Sequence, residues 1–371
     1  MNPLSEIIRR ETAQHGVLPF ARFMELALYC PVHGYYEAKK DNPGRHGDFY
    51  TSVGVGELFG YLLAFQFAGW LQSPVPGPQS SVQIVEAGAH DGRLARDILS
   101  WLQSNRPELF DRLEYWLIEP SARRQEWQRE MLKDFTPRVR WFDSLRSISS
   151  PNPKSEIRNP KLSGVIFSNE LLDAMPVHRF SWDAQSKKWF EWGVAVDGEK
   201  FAWERIQNPE SRIQNPDLPV ELLNVLPDGY TIETCPAAES WWREAANILE
   251  HGRLLTIDYG LTAEELFLPS RLNGTLRAYF RHHASDDILA NVGEQDLTAH
   301  VNFSAIQAAG ESAGLRTEML STQSQFLAQI LEKASKGNSL GKWTSAQGRQ
   351  FQTLTHPEHL GRAFRVLVQS R

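Results

Sequence analysis

A glycine-containing turn is the part of this sequence whose residue types best suit ligand binding. The stretch 82–99, VQIVEAGAHDGRLARDIL, joins an apolar run to Gly88 and Gly92 and then to apolar residues at helical spacing. This pattern predicts a strand, a tight turn and a helix. Such a turn lets the backbone approach a ligand closely and points the free N–H groups of the helix toward it.

The residues of the turn favour one kind of cofactor over others. A dinucleotide fingerprint needs GxGxxG, whereas this turn carries His90 and Asp91, and the chain has no GKS or GKT sequence for a nucleoside triphosphate. S-adenosyl-L-methionine (SAM) has no pyrophosphate, and its ribose hydroxyls suit a carboxylate such as Glu119, which ends the next predicted strand. These residues therefore fit SAM better than a dinucleotide or a nucleoside triphosphate.

Acidic residues also end the other predicted strands. The five strand candidates are VQIVEAG, LEYWLIEPS, VRWFDSL, GVIFSNELLDA and RLLTIDYG. Four of them end in acids, namely Glu86, Glu119, Glu170 with Asp173, and Asp258. In an open α/β sheet ligands bind at the carboxyl ends of the strands, so we expect these acids around one crevice. An acid at a strand end can instead cap the following helix, and that alternative stays open for each one.

The remaining segments are expected to surround this sheet. Residues 4–29 predict amphipathic helices, and an aromatic-rich loop follows, in which Asp48, Tyr50, Thr51 and Ser52 are expected to form a flap or an ordered surface loop. Alternation after residue 180 predicts short strands with a turn at Asp197-Gly198. The predicted organisation is N-terminal helices and flap 1–80, first part of the SAM-binding core 81–180, β-rich insertion with a polar RIQNP repeat 181–228, and remainder of the core with a substrate-side insertion 229–371.

Composition excludes several classes of protein. The 371 residues are 41% hydrophobic and carry a net charge of −6, which gives no basic surface for nucleic acid. Cys30 and Cys235 lie far apart, as free thiols in a reducing compartment would. No apolar run is long enough to span a membrane, the N-terminus resembles neither a signal nor a transit peptide, and no metal-ligand spacing occurs. We therefore expect a cytoplasmic protein without membrane insertion, nucleic-acid partner or metal; the oligomeric state stays open.

A set of motifs along nearly the whole chain resembles one known family. The motifs are FMELALYCPVHGYYE, GDFYTS with LFG, the glycine turn, LIEPS, SNELLDAMPVHRF, LLTIDYG, GTLRAYFRHH, DLTAHVNFSAI, TQSQFL and LGRAFRVLV. They resemble the MidA-like family of SAM-dependent methyltransferases, whose mitochondrial members methylate a protein arginine during assembly of respiratory complex I. The resemblance implies the α/β fold of class I SAM-dependent methyltransferases. This fold has a Rossmann-like seven-stranded sheet, here with an N-terminal helical segment and a β-rich insertion. The resemblance also implies a protein substrate, by analogy a respiratory-complex subunit.

Three positions depart from the family pattern. His90 stands where the family has a second glycine, Val53-Gly54 follows GDFYTS in place of Pro-Glu, and Asn302 replaces an Asp. Gly88, Gly92, Glu119 and the Asn169-Glu170 pair are retained.

The chemistry of methyl transfer assigns roles to these residues. The donor is already activated, so the protein mainly aligns the nucleophile and controls its protons. For an arginine acceptor, Glu170 is expected to hold the guanidinium, with Asp173 as its partner if a helical turn begins at Glu170. The alternative for Asp173 is a helix-capping acid. The predicted sites are catalytic Asn169, Glu170 and Asp173; cofactor-binding Glu86, Gly88, Gly92, Glu119, Asp143, Thr51 and Ser52; and substrate-binding Asp48, Tyr50, Arg277 and His300.

Two other functions remain compatible with the sequence. A small molecule could be the methyl acceptor, in which case an enclosed pocket is expected. A degenerate assembly factor that binds SAM without turnover is the third possibility, and the bulky His90 in the turn is the feature that favours it.

Overall fold

Continuous apolar runs such as VQIVEA and GVIF predict strands that are buried on both faces, and a computed structural model of the chain shows them at the centre of a sheet. The structure describes residues 2–38, 51–72, 81–149, 162–206, 218, 220–280, 283–285, 287–336 and 343–371. The predicted flap residues Asp48 and Tyr50 and most of the polar repeat lie outside the described residues.

The described chain contains sixteen strands. They are β1 Leu18–Pro19, β2 Val82–Ala87, β3 Leu113–Ile118, β4 Val139–Phe142, β5 Leu162–Asn169, β6 His178–Asp183, β7 Lys188–Asp197, β8 Lys200–Arg205, β9 Thr231–Thr234, β10 Leu249–Leu261, β11 Arg277–Phe280, β12 His283–Ser285, β13 Asp296–Thr298, β14 Val301–Asn302, β15 Arg316–Thr322 and β16 Phe364–Ser370.

Fifteen α-helices are present in the same residues. They are α1 Pro3–His15, α2 Phe20–Tyr29, α3 Tyr35–Ala38, α4 Ser52–Val55, α5 Leu58–Leu71, α6 Arg93–Asn105, α7 Pro107–Asp111, α8 Ala122–Met131, α9 Leu145–Ser149, α10 Val220–Leu223, α11 Pro236–Ile248, α12 Ala263–Leu266, α13 Phe303–Ser312, α14 Gln323–Lys336 and α15 Ser345–Thr355. A 3₁₀ helix covers Lys133–Arg138.

The central sheet has the strand order β15-β16-β10-β5-β2-β3-β4, with β14 added at the end of β10. Strands β4, β3, β2, β5 and β10 are parallel, whereas β16 is antiparallel to both of its neighbours. The order reverses between β2 and β5, so the predicted seven-stranded α/β sheet is confirmed and its switch point lies beside the glycine turn.

Helices cover both faces of the sheet. Val82 and Ile84 of β2 pack in one apolar cluster with α5, α6 and α14, and Val85 and Ala87 pack in a second cluster with α11 and α13. This alternation follows from the two-residue repeat of a strand. The resulting core fixes the five parallel strands, and hence the residues at their carboxyl ends, relative to one another.

The expected insertion strands form a second sheet. Strands β6, β7 and β8 pair antiparallel, and Gly198 has a φ of 56° in the tight turn that follows Asp197. This sheet also takes in β1 from the N-terminal segment and β9 from beyond residue 228. Helices α1 and α2 pack against it in a separate apolar cluster that includes Phe20 and Phe23. A third sheet has the order β12-β11-β13.

Candidate active site

A cavity of about 390 Å³ opens at the carboxyl ends of β2, β3, β4 and β5. This is the edge of the sheet at which acids were expected to gather. Its walls include strand-end residues and residues from the N-terminal segment. Residues of this wall include Tyr29, Tyr36, Thr51, Glu86, Gly88, His90, Asp91, Arg93, Glu119, Arg124, Asp143, Asn169, Glu170 and Leu171.

The glycine turn adopts left-handed backbone at three positions. The φ angles of Gly88, His90 and Gly92 are 78°, 45° and 84°. The positive φ at Gly88 favours glycine, and a Cβ there would lie 3.0 Å from Cδ1 of Leu171, which would have to shift by a few tenths of an ångström. The turn therefore needs left-handed backbone at His90, which a histidine adopts at a cost of about 1–2 kcal/mol.

Glu119 directly follows the last residue of β3, close to the predicted strand end, and is 2% exposed. Its Oε1 accepts hydrogen bonds from the Arg124 Nε and the Ser121 backbone N, both at 2.9 Å, and its Oε2 accepts from Gln128 Nε2 at 3.1 Å. A carboxylate offers about four acceptor positions, so Oε2 keeps capacity for one further donor such as a ribose hydroxyl.

Glu86 is the last residue but one of β2, lines the cavity and is 2% exposed. The Tyr115 hydroxyl donates to its Oε2 at 2.5 Å. Burial raises the pKa of Glu86 to about 8 although the hydrogen bond from Tyr115 opposes this shift. Glu86 is therefore mostly a neutral carboxyl at pH 7, and it can donate to a ligand as well as accept from one.

The other predicted cofactor residues occupy two different positions. Asp143 follows β4, is exposed and lines the cavity, where its Oδ1 accepts from Gln125 Nε2 at 3.3 Å. Thr51 lines the cavity and caps α4, with its hydroxyl accepting from the Gly54 N. Ser52 lies behind this wall, where its backbone N donates to Glu170 Oε1 at 3.0 Å.

Asn169 and Glu170 stand together at the end of β5. Asn169 Nδ2 donates to Glu170 Oε1 at 2.9 Å, while Asn169 Oδ1 and Glu170 Oε2 are buried and have no hydrogen-bond partner among the described residues. Burial raises the pKa of Glu170 to about 8. When Glu170 is ionised, two acceptor atoms are thus left for a ligand at this end of the cavity.

Asp173 lies outside this pair. Glu170 has a φ of 52°, and a turn rather than a helix follows it, so Glu170 and Asp173 do not share a helical face. The Asp173 side chain is buried against Asp258 and does not belong to the cavity wall that the described residues form. Its role as partner of Glu170 stays a prediction.

Two predicted substrate residues are placed away from the cavity. Arg277 begins β11 and pairs in register with Thr298 of β13, and His300 follows two residues later. Both side chains are exposed, and the His300 backbone N donates to the Thr275 hydroxyl. Neither residue contributes to the described wall of the cavity. Either one could therefore contact only a substrate that is large enough to extend beyond the cavity.

Sequence reasoning missed several residues of the site. Tyr29 and Tyr36 line the cavity, with their hydroxyls donating to the Ala174 O at 3.0 Å and to Asp296 Oδ1 at 2.8 Å. Arg124 lines it beside Glu119 and also contacts Glu37. Nothing in the local patterns of residues 29–37 predicts contact with strand ends that are more than eighty residues away.

The cavity fits SAM better than a dinucleotide. Its two arginines are already paired, Arg93 with Asp91 and Arg124 with Glu119, so the described wall offers no unpaired cation to a pyrophosphate. Glu119 has acceptor capacity for a ribose hydroxyl, and the bare Gly88 allows close backbone approach. Among the described residues no three His, Cys, Asp or Glu side chains form a group that could hold a metal ion.

Comparisons with known proteins agree with this geometry. Residues 62–321 match a family model described as "Putative S-adenosyl-L-methionine-dependent methyltransferase". A crystal structure from Burkholderia thailandensis, titled a "likely methyl transferase" and bound to S-adenosyl-homocysteine, superimposes with a TM-score of 0.80. It is 30% identical and covers 99% of this chain and 92% of its own.

Curated relatives are similar over most of the chain. The mitochondrial protein arginine methyltransferase NDUFAF7 homolog of Drosophila melanogaster is 28% identical over 329 residues, which are 84% of this chain and 70% of the relative. The human protein arginine methyltransferase NDUFAF7 is 28% identical over 335 residues, with 85% and 71% coverage. Because the family model spans most of the chain and the fold and cavity agree with it, this protein belongs to that family of SAM-dependent methyltransferases.

Proposed function

We propose that this methyltransferase transfers a methyl group to an arginine side chain of a protein. The observation that carries the proposal is the pair of buried acceptor atoms at the end of β5, Asn169 Oδ1 and Glu170 Oε2, which no described residue satisfies. A guanidinium presents five N–H donors in a planar fork, and two adjacent acceptors suit it. Two relatives whose names specify protein arginine as their substrate support this choice.

The residues at the end of β5 orient the guanidinium that accepts the methyl group and remove its excess proton. Bound SAM supplies a methyl group that is already activated on a sulfonium. Glu170, as a carboxylate, orients the guanidinium so that one nitrogen faces the methyl carbon, and Asn169 fixes the Glu170 carboxyl by donating to Oε1. As the new C–N bond forms, the bond between the methyl group and sulfur breaks and S-adenosylhomocysteine is left as the neutral product. The methylated guanidinium then has one proton in excess, and Glu170 Oε2 is proposed as its acceptor.

The N-terminal segment is assigned to the acceptor side of the cavity. Tyr29 and Tyr36 stack with ring centroids 5.5 Å apart, and both face the cavity beside Thr51. Aromatic rings in the cavity wall exclude water from the enclosed space, which strengthens the interaction between a carboxylate and a bound cation. An aromatic wall of this kind also suits the aliphatic part of an arginine side chain.

A labelling experiment tests the proposal. Extract from cells that lack the protein is incubated with radiolabelled SAM and purified enzyme, and the labelled polypeptides are hydrolysed to identify the modified amino acid. We expect a discrete band with the label in methylarginine. We also expect Glu170→Gln to lose at least about a hundredfold in labelling, the lower end of what a positioned acid or base contributes.

A matched substitution controls for non-specific effects. Glu108→Gln changes an exposed glutamate on α7, at the opposite edge of the sheet, and should label as the parent does. Label only in small molecules would instead identify a metabolite methyltransferase, and label in another amino acid would overturn the arginine assignment.

We also propose the cytoplasm as its compartment. Support comes from Cys30 and Cys235, which are free thiols in the structure. Within the described residues no helix is both long and apolar enough to cross a membrane. Immunoblots of fractionated cells test the compartment.

A further inference from the structure

Three charged side chains form a buried row beside the cavity. Arg124 lies between two carboxylates: its Nη2 is 2.9 Å from Glu119 Oε1, and its Nη1 is 3.3 Å from Glu37 Oε1. The exposed fractions of the Glu37, Arg124 and Glu119 side chains are 11%, 10% and 2%. Charges removed from water to this extent are stable only if they remain paired, so the row constrains the position of each member.

The row fixes the orientation of the Glu119 carboxylate. Arg124 approaches Oε1 with both Nε and Nη2 at 2.9 Å, and Gln128 holds Oε2 at 3.1 Å. Donors on both oxygens leave the carboxylate little rotational freedom. The lone pair of Oε2 that remains free to accept a hydrogen bond therefore has a fixed position on the cavity wall.

The far end of the row belongs to the N-terminal segment. Glu37 lies on α3, and it accepts from the Ser121 hydroxyl at 2.8 Å with Oε2 and from Arg123 Nη1 at 2.6 Å with its backbone O. Its neighbour Tyr36 lines the cavity and donates to Asp296. Helix α3 thus links the Glu119 side of the cavity to Asp296 of β13.

We propose that Arg124 is a positioning residue for ribose recognition by Glu119, and that Glu37 acts on the cofactor site through Arg124. Neither the Arg124 guanidinium nor Glu37 needs to touch the ribose in this scheme. The proposal rests on the assignment of Glu119 to the ribose hydroxyls, and it does not depend on the identity of the methyl acceptor. It predicts that substitutions of Glu37 or Arg124 change the preference for a cofactor with the ribose hydroxyl over one without it, and not only the affinity for the cofactor.

Calorimetric titration with two ligands tests the proposal. The ligands are S-adenosylhomocysteine and its analogue without the 2′-hydroxyl, and the measured quantity is the ratio of their dissociation constants. The parent should prefer the hydroxylated ligand by about tenfold or more, because a buried carboxylate would lose a charge-assisted hydrogen bond with the analogue. Arg124→Met should reduce this preference by about tenfold, and Glu37→Gln by about threefold.

Controls separate positioning from a general loss of structure. Arg140→Met removes an arginine whose ion pair with Glu114 lies on the exposed side of β3 and β4, and it should leave the preference unchanged. Arg124→Lys keeps the charge but not the two-nitrogen contact, so it should also lose part of the preference if Arg124→Met does not fold. In an Arg124→Met or Arg124→Lys background, Glu37→Gln should have no further effect.

Two results would overturn the inference. One is a fall in affinity for both ligands by the same factor in the Arg124 variants, which would indicate a purely structural role. The other is a parent enzyme without any preference between the ligands, which would remove Glu119 from ribose recognition. Neither result affects the labelling of arginine by the parent enzyme, so failure here is distinguishable from failure of the proposed function.

Discussion

The carboxyl groups of Asp173 and Asp258 are buried side by side and share a hydrogen bond. Asp258 is fully buried and also accepts from the backbone N of Leu171, Leu172 and Tyr259. Burial, together with the neighbouring Asp258 charge, raises the pKa of Asp173 well above its usual range, whereas the pKa of Asp258 rises only to about 6. The pair ties the turn after β5 to β10, and so holds Glu170 in place.

This geometry predicts that Asp173→Asn is tolerated. The amide donates to Asp258 as the protonated carboxyl does, so we expect S-adenosylhomocysteine affinity within about threefold and methyl transfer within about tenfold of the parent. Calorimetry and the labelling assay measure the two quantities. A hundredfold loss of transfer with normal binding would instead place Asp173 in the catalytic machinery, as the sequence suggested.

Glu119→Gln should weaken binding of S-adenosylhomocysteine by about tenfold or more. The substitution keeps the volume but removes the charge that makes a hydrogen bond from a ribose hydroxyl worth about 1.5–3 kcal/mol. Glu114→Gln, near the other end of β3, is the matched control and should bind as the parent does. Equal affinities in the parent and the Glu119 variant would refute the assignment.

Position 90 is expected to prefer glycine over alanine. Because φ is 45° there, His90→Gly should be more stable than His90→Ala by about 1 kcal/mol in denaturant unfolding. Affinity of His90→Gly for S-adenosylhomocysteine should stay within tenfold of the parent, since the backbone of the turn is unchanged. A much larger gain would show that His90 obstructs the cofactor site.

Gly88→Ala should cost more stability than Gly198→Ala. Both positions have a positive φ, but only a Cβ at 88 meets a neighbour, Leu171 Cδ1 at 3.0 Å, while nothing lies within 4 Å at 198. Strain alone predicts a loss of about 1–2 kcal/mol at each site, and the contact adds to it at 88. Equal losses would mean that Leu171 moves aside without cost.

Activity should depend on the ionisation of Glu170. Because the pKa of Glu170 is raised to about 8, its carboxylate form declines as the pH falls below 8. We expect kcat/KM to decrease about tenfold per pH unit between pH 8 and pH 6. In Glu170→Gln this limb of the pH profile should disappear from the residual activity, and a parent profile that is flat over this range would contradict the assignment.

The free energy of unfolding should decrease as the pH rises, because of Glu86. Its pKa is raised to about 8 in the folded state from an ordinary 4.5, so its contribution is fully present below pH 4.5 and is lost as the pH rises through 8. Unfolding free energy of the parent should therefore decline between pH 5 and pH 8 relative to Glu86→Gln, with a limiting slope of about 1.4 kcal/mol per pH unit. Parallel curves for the two proteins would show that Glu86 ionises normally.

The sequence alone determined the sheet and the edge at which the site forms. The runs VQIVEA and LEYWLI are apolar over the length of a strand, and the acids Glu119 and Glu170 directly follow their strands. Parallel strands place their carboxyl ends at one edge, so local sequence was sufficient to bring Gly88, Glu119 and Glu170 around one cavity.

Only the tertiary structure decided what each side chain in that cavity contacts. Asp173 follows Glu170 by three residues, yet the turn directs it to Asp258. Arg277 lies on a separate sheet, and His300 follows the last residue of β13 in that sheet by two positions. The row from Glu37 to Glu119 joins residues more than eighty positions apart. A buried charge must be paired with an opposite charge or a hydrogen-bond partner, and that partner comes from whichever element packs beside it. The local pattern of residues therefore does not predict these contacts.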